Sequence, residues 1–344
     1  MNKKRILVLF TALILVLSGC GKQKTADKKE STENNVQDKQ ELVNTEAKEI
    51  AEFFDKYIYT KERPIAVMVD NDDDNARPHA GLSESYLIYE MAVEGGSTRF
   101  MALFRSAGTK KIGPVRSSRH YYLDYAKEND AIYTHFGWSP KATEDMSALR
   151  INNINGVNGN DEDIFWRERK YKGDWHSAYT SIENIKNKAQ QKGYAAITGH
   201  ANSIDYADEY FEIGIGNIAD NVTLKYSKKY TTGYIYNEEK KIYEKTINGK
   251  PHLMQDETVL EVKNIIIQLI ADTSLGDGSD RRNINTAGSG KGYYISGGEY
   301  EEITWSKASR SANTFYKKAD GTELRINPGK TIINIIAPGS VKFE

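Results

Sequence analysis

Hydrophobic and polar positions fall into four successive textures. Ile6 to Val16 is an almost unbroken apolar run. Gly21 to about Lys48 is dominated by Lys, Glu, Asp, Gln, Asn and Thr, with Val36, Leu42 and Val43 as its only large apolar residues. From about 49 to 219, continuous apolar runs alternate with amphipathic stretches. The pattern predicts a short helix over Glu46–Tyr57 and a buried strand at Pro64–Val69 that ends in Asp70-Asn71. It predicts a strand or short helix at Tyr86–Val93, a strand at Thr98–Phe104 and another at Ala131–Phe136. Ser117 or Ser118 reads as the cap of a helix through Lys127, and Ser181 as the cap of a helix over Ile182–Lys192. From about Asn221 the strands become short and closely spaced: Val222–Tyr226, Thr232–Tyr236, Lys241–Ile247, Val262–Leu269, Gly292–Ser296, Tyr300–Trp305 and Thr331–Ile336. Turn signals such as Asn248-Gly249, Asp320-Gly321 and Pro328-Gly329 separate them. Gly288-Ser289-Gly290-Lys291-Gly292 reads as a further turn. The reading is an α/β (α+β) part over 49–219 and a mostly antiparallel β-rich part over 220–344.

The first two textures give an address. Lys3, Lys4 and Arg5 precede the apolar run, which falls far short of the ~20 residues that span a bilayer as a helix. Residues 1–19 therefore read as a cleaved signal peptide. Leu17-Ser18-Gly19-Cys20 resembles the lipobox of bacterial lipoproteins, in which the cysteine is diacylglycerated and becomes the new N-terminus. Two acyl chains anchor stably where one is marginal. The alternatives are a secreted protein with a chance cysteine, or a short membrane anchor. Residues 20–48 are too polar to offset their ordering entropy and read as a tether of about 30 Å reach. The expected location is the outer face of the cell membrane, held by Cys20.

Composition narrows the chemistry. The 344 residues carry 47 basic and 48 acidic side chains, a net charge of −1, without the basic surplus that phosphate neutralisation needs, so no nucleic-acid partner is expected. A single cysteine, spent on lipid, excludes an internal disulfide framework, a CxxC pair and a cysteine nucleophile. Asp70 to Asn75 places carboxylates at the first, third and fifth positions of a calcium-type loop, but Asn75 and Gly81 stand where the turn glycine and bidentate glutamate belong. The six histidines show no metal-ligand spacing, and Gly137-Trp138-Ser139-Pro140-Lys141 lacks the second glycine of a nucleophile elbow. No cofactor, metal or catalytic constellation is expected; a looser divalent site at the Asp70–Asp74 loop stays open as an alternative to a solvated acidic loop with Asx-turns.

One cluster has the composition of an anion pocket. Gly95-Gly96 precedes Arg99, and Gly113 precedes Arg116-Ser117-Ser118-Arg119. Glycines let backbone approach a ligand, a serine-capped helix start presents N–H groups, and arginines fork onto oxyanions. The candidates are Arg99, Arg116, Ser117, Arg119 and His135. The competing reading pairs the arginines with Glu90, Glu94 and Asp124 and locks strands to the helix. A second set joins the strand-end loop, with Asp70, Asn71 and Arg77, to Trp175 and His176 of an aromatic stretch; aromatics there either contact a ligand or anchor a long loop.

Several motifs resemble, in order, the YerB-like bacterial lipoproteins, a family of unknown function. They are Pro64–Asn71, Ala76–Leu82, Tyr89–Phe100, Ile112–Arg119 and Ala131–Gly137, then Gly288–Tyr294 and Asn327–Thr331. The resemblance covers roughly residues 60–340 and implies an N-terminal and a C-terminal module in a layered sandwich of two sheets and helices. It implies no reaction. Two functions stay open: a membrane-anchored module that binds an envelope ligand or protein partner, or an envelope enzyme on a phosphate-bearing or glycan substrate.

Overall fold

The computed structural model describes residues 45–106, 108–157 and 161–344. Cys20, the signal segment and nearly all of the tether lie outside the described residues. Helical residues 45–53 (α1) run into a wider turn at Phe54–Ile58. Then follow β1 (Ile65–Asn71), β2 (Leu87–Ala92), β3 (Thr98–Phe104), α2 (Tyr122–Glu128), β4 (Ile132–His135), α3 (Pro140–Ala148) and β5 (Asn153–Asn155). A small ribbon of β6 (Trp166–Arg167) and β7 (Ala178–Tyr179) precedes α4 (Ile182–Gln191). The second half adds β8 (Asn221–Lys225), β9 (Thr231–Asn237), β10 (Ile242–Ile247), β11 (Lys250–Pro251), β12 (Glu261–Val262) and β13 (Asn264–Leu269). It closes with β14 (Asp272–Ser274), β15 (Arg282–Ile284), β16 (Gly288–Ser296), β17 (Glu299–Lys307), β18 (Thr314–Lys318), β19 (Thr331–Ile336) and β20 (Val341–Phe343).

Ten strands form one sheet in the order β18-β17-β16-β13-β19-β2-β3-β1-β4-β5. The change of sequence texture near residue 220 does not interrupt it, because β19 from the second half pairs in parallel with β2 from the first. Lys48 to Glu344 accordingly cluster as one compact unit. A second, antiparallel sheet runs β11-β10-β9-β8-β20 with β12 beside β10. The fold class is α+β.

Strict alternation explains why β1 and β3 read as unbroken apolar runs: both of their faces are buried. Ala66, Met68, Met101 and Leu103 join one core with Tyr122 and Tyr125 of α2. Val67, Val69, Phe100 and Ala102 join another core with Val222, Leu224 and Tyr234 of the second sheet and Ile182 and Ile185 of α4. Truncating a fully buried ring such as Phe100 to alanine should cost about 3–5 kcal/mol.

Two local expectations are corrected. Gly288–Gly292 is not a turn but the first half of β16. A Cβ on Gly290 would sit 2.7 Å from the Trp305 indole nitrogen, and one on Gly292 2.3 Å from the Ile267 carbonyl. These glycines are bare so that neighbours can lie against the strand. Nor does Ser117 or Ser118 cap α2. The Ser118 amide bonds the Gly137 carbonyl, its hydroxyl accepts from Tyr133, and α2 begins at Tyr122 without a side-chain cap.

Candidate functional site

The C-terminal end of β1 and the facing start of β3 carry polar residues into a buried setting. Asp70 stands opposite Arg99 and Asn71 opposite Thr98. Alternation sends Asp70 and Arg99 to the face of Met68 and Met101, and Asn71 and Thr98 to the opposite face. Residues 114–116 run alongside β1 there: the Asp70 amide bonds the Pro114 carbonyl and the Arg116 amide the Met68 carbonyl. This lateral strip delivers the Arg116 side chain to Asp70.

Arg99, Arg116 and Arg119 line one cavity of about 330 Å³, with Arg281, Asp72, Glu94 and Ser279. Four arginines face two carboxylates. Arg119 donates from Nε to Glu94 at 2.6 Å and from Nη1 to the Ser118 carbonyl at 2.7 Å. Arg116 Nε lies 3.1 Å from Asp70 Oδ2, a close ion pair without hydrogen-bond alignment. Arg281 is held by Asp277 at 3.1 Å and lies 4.0 Å from Glu94. Arg99 has no carboxylate contact among the described residues; it donates from Nη1 to the Ser117 carbonyl at 2.7 Å, and its Nε has no protein partner. Only 6% of Arg99 is exposed. Burial, reinforced by the charge of Arg119, pushes its pKa down to about 10. A guanidinium so placed is costly unless an anion completes its shell.

The competing pairing is met only by Arg119 with Glu94. Glu90 instead faces Lys245, and Asp124 faces Arg310. Burial works to raise the Glu94 pKa, but Arg119 holds it below the ordinary carboxylate value.

Asp70 joins this cavity to a second group. Its Oδ2 accepts from His176 Nδ1 at 2.6 Å, while its Oδ1 is buried without a partner among the described residues. Burial would raise the pKa of Asp70, yet His176, Arg116 and Arg99 hold it low. Burial likewise opposes protonation of His176, but the Asp70 carboxylate raises its pKa above the ordinary value. Trp175 donates its indole N–H to His176 Nε2 at 2.5 Å, which requires that nitrogen to be unprotonated. The two influences oppose each other, so protonating His176 must turn Trp175 away. That indole is 61% exposed and lies 5.8 Å from the Arg116 guanidinium.

Two predicted residues fall outside the cavity lining. His135 is buried, bonded to the Gly137 carbonyl and Asn153, and burial pushes its pKa down to about 4. It braces the end of β4. The Ser117 hydroxyl donates to the Phe136 carbonyl; only its own carbonyl serves the site, by holding Arg99. Without a serine-capped helix start, the cavity has no helix N-terminus. Gly113 is needed for packing, since a Cβ there would lie 2.7 Å from the Ala178 carbonyl. Arg77 and Asn71 meet each other at 2.8 Å rather than the arginine cavity.

Arg281, Ser279 and Asp72 were not legible as site residues. The first two come from the β14–β15 connection, distant in sequence, and the acidic turn at Asp277–Asp280 was their only signal. His79 and His252 form an unforeseen buried pair. His79 Nε2 donates to the Asp70 carbonyl at 2.6 Å, so its Nδ1 accepts from His252 at 2.7 Å. Burial pushes His79 down to about 3, so this pair is neutral bracing. Among the described residues, no group of three or more His, Cys, Asp or Glu is placed to hold a metal ion.

Comparison with known proteins agrees with this architecture. Residues 55–195 match the N-terminal domain, and 222–333 the C-terminal domain, of a protein family of unknown function, DUF3048. The chain is 32% identical over 287 residues to "Putative lipoprotein YerB" of Bacillus subtilis (strain 168), covering 80% of this chain and 82% of that protein. The chain belongs to the YerB-like family. The crystal structure of the YerB protein from Bacillus subtilis superposes with a TM-score of 0.73 at 30% identity, covering 83% of this chain and 94% of that one. The family carries no described activity, so the chemistry rests on the cavity. No helix among the described residues is long and apolar enough to cross a membrane.

Proposed function

We propose that this YerB-like protein is an extracytoplasmic lipoprotein, anchored through diacylglyceryl-Cys20, whose folded body binds an anionic envelope ligand or an anionic group on a protein partner. The observation that carries the binding reading is Arg99: a buried guanidinium on a cavity wall, with an unpartnered Nε and three further arginines around it. Phosphate or sulfate should raise the melting temperature, since a ligand of the native state alone stabilises it by RT ln(1 + [L]/Kd), about 2.7 kcal/mol at 100 Kd. The effect should survive in part at 0.15 M salt, where exposed charges more than about 8 Å apart are largely screened but recessed ones much less. An unchanged melting temperature across millimolar phosphate would refute the reading. The anchor is tested separately: Cys20→Ala should move the protein from the membrane fraction to the medium or leave an uncleaved precursor, and persistent acyl labelling of that variant would refute the anchor.

A second reading, an envelope enzyme on a phosphate-bearing substrate, is favoured by one observation. Asp70 orients His176 through Nδ1, leaving Nε2 as the basic nitrogen, 4.0 Å from Asp73 Oδ1, an arrangement suited to general-base work once Trp175 swings off.

A further inference from the structure

The arginine cavity does not end at its arginines. A second cavity, of about 360 Å³, adjoins it and shares Asp72 as a wall. The turn Glu94–Gly96 also serves both: Glu94 lines the first, Gly95 and Gly96 the second. Gly95 and Gly96 have φ of +72° and +77°; a Cβ on Gly95 would meet nothing within 4 Å, whereas one on Gly96 would sit 3.0 Å from the Ser227 hydroxyl, so bare backbone borders the second cavity at Gly95.

The two cavities differ in chemistry. The second is lined by Asp72, Asp73 and Asp74 against Arg77 and Lys229, with Ser97 and Asn248 beside them. Carboxylates only accept hydrogen bonds, and lysine and arginine only donate them. Three carboxylates disfavour a second anion, and a hydrocarbon would strip water from all five charges without replacing it. Hydroxyl groups both donate and accept, and suit such a wall. Size points the same way. At about 30 Å³ per liquid water, the first cavity alone has room for roughly ten waters, far more than one tetrahedral oxyanion displaces.

Resting on the anion-binding reading, we infer that the two cavities form one site and that its ligand is a sugar phosphate, with the phosphate against Arg99, Arg116 and Arg119 and the sugar hydroxyls among Asp73, Asp74, Lys229 and Asn248. Asp73 and Lys229 are the residues to vary. Asp73 is 53% exposed through its side chain, and asparagine there keeps the Oδ1 that accepts from the Asn75 amide.

The test is calorimetric titration of the full-length protein with inorganic phosphate, glucose 1-phosphate and the methyl diester of glucose 1-phosphate. Glucose 1-phosphate should bind at least tenfold more tightly than inorganic phosphate. Asp73→Asn combined with Lys229→Ala should erase that tenfold preference and leave the phosphate affinity within twofold of wild type. A diester that binds as tightly as the monoester assigns the site to a sugar phosphate within a chain; a weaker diester assigns it to a free one. Equal affinity of the wild type for phosphate and glucose 1-phosphate overturns this inference and leaves the anion pocket standing, as does a double variant that loses both ligands alike. Binding of neither ligand overturns both.

Discussion

Two buried polar clusters sit back to back at the end of β1 and β3, and only one is complete. On the face of the second sheet, Glu90 and Lys245 are both fully buried and lie 3.3 Å apart. Glu90 also accepts from Thr98, Tyr230 and Thr232, and Lys245 donates to Thr232. Asn71 closes the ring through Thr98 and Tyr230. On the other face, the cluster of Asp70, Arg99, Arg116 and His176 leaves Asp70 Oδ1 and Arg99 Nε unpartnered among the described residues, and its two arginines line a cavity. Same strands, same burial, opposite bookkeeping. A buried charge whose partners are all supplied by the chain is architecture; one whose shell is left open at a cavity is prepared for something else.

The largest effect should come from breaking the closed cluster. Lys245→Met leaves Glu90 without its cation in a dry interior, and should cost about 3–5 kcal/mol in denaturant-midpoint experiments. A loss below 1 kcal/mol would mean that the cluster is not a keystone. Arg99→Met makes the opposite case. It removes a desolvated charge from among three other arginines and should change stability little, because relief of that desolvation offsets the bond to the Ser117 carbonyl, worth about 1.5–3 kcal/mol for a charged donor. A loss of several kcal/mol would put Arg99 in the architectural class.

The contrast was only half legible in the sequence. Arg99, Arg116 and Arg119 stood out because they follow glycines and crowd within twenty residues. Asp72 reads as the third position of an incomplete calcium-type loop, and Arg281 belongs to a connection nearly two hundred residues away, so only folding brings them to the cavity. The helix cap at Ser118 was misread because Gly137 and Tyr133 compete for its amide and hydroxyl. The helix α3 is open to reading, since Ser139 caps it and Pro140 occupies its first turn, although the same residues also resemble part of a nucleophile motif. Strands β1, β3 and β19 were plain because burial on both faces demands unbroken apolar runs. Strand β16 was not, because its glycines answer to Trp305 and Ile267.

A smaller effect sharpens the open side. The raised pKa of His176 means that its contact with Asp70 contributes stability fully present below the ordinary imidazole value near 6.5. That contribution is lost as pH rises through the higher folded value. Protonation displaces the Trp175 indole from Nε2, so the fluorescence of Trp175 should titrate on the same curve. His176→Gln should flatten that titration; an identical titration in the variant would detach Trp175 from His176.

The most direct measurement compares phosphate-induced stabilisation in three forms of the full-length protein: wild type, Arg99→Met, and Thr232→Val as a mild lesion of the closed cluster. The rise in melting temperature with millimolar phosphate should be present in wild type, undiminished in Thr232→Val although that variant starts from a lower melting temperature, and absent in Arg99→Met. A phosphate shift that persists in Arg99→Met, or that vanishes in both variants alike, would contradict the division of the two clusters into one that builds the fold and one that binds.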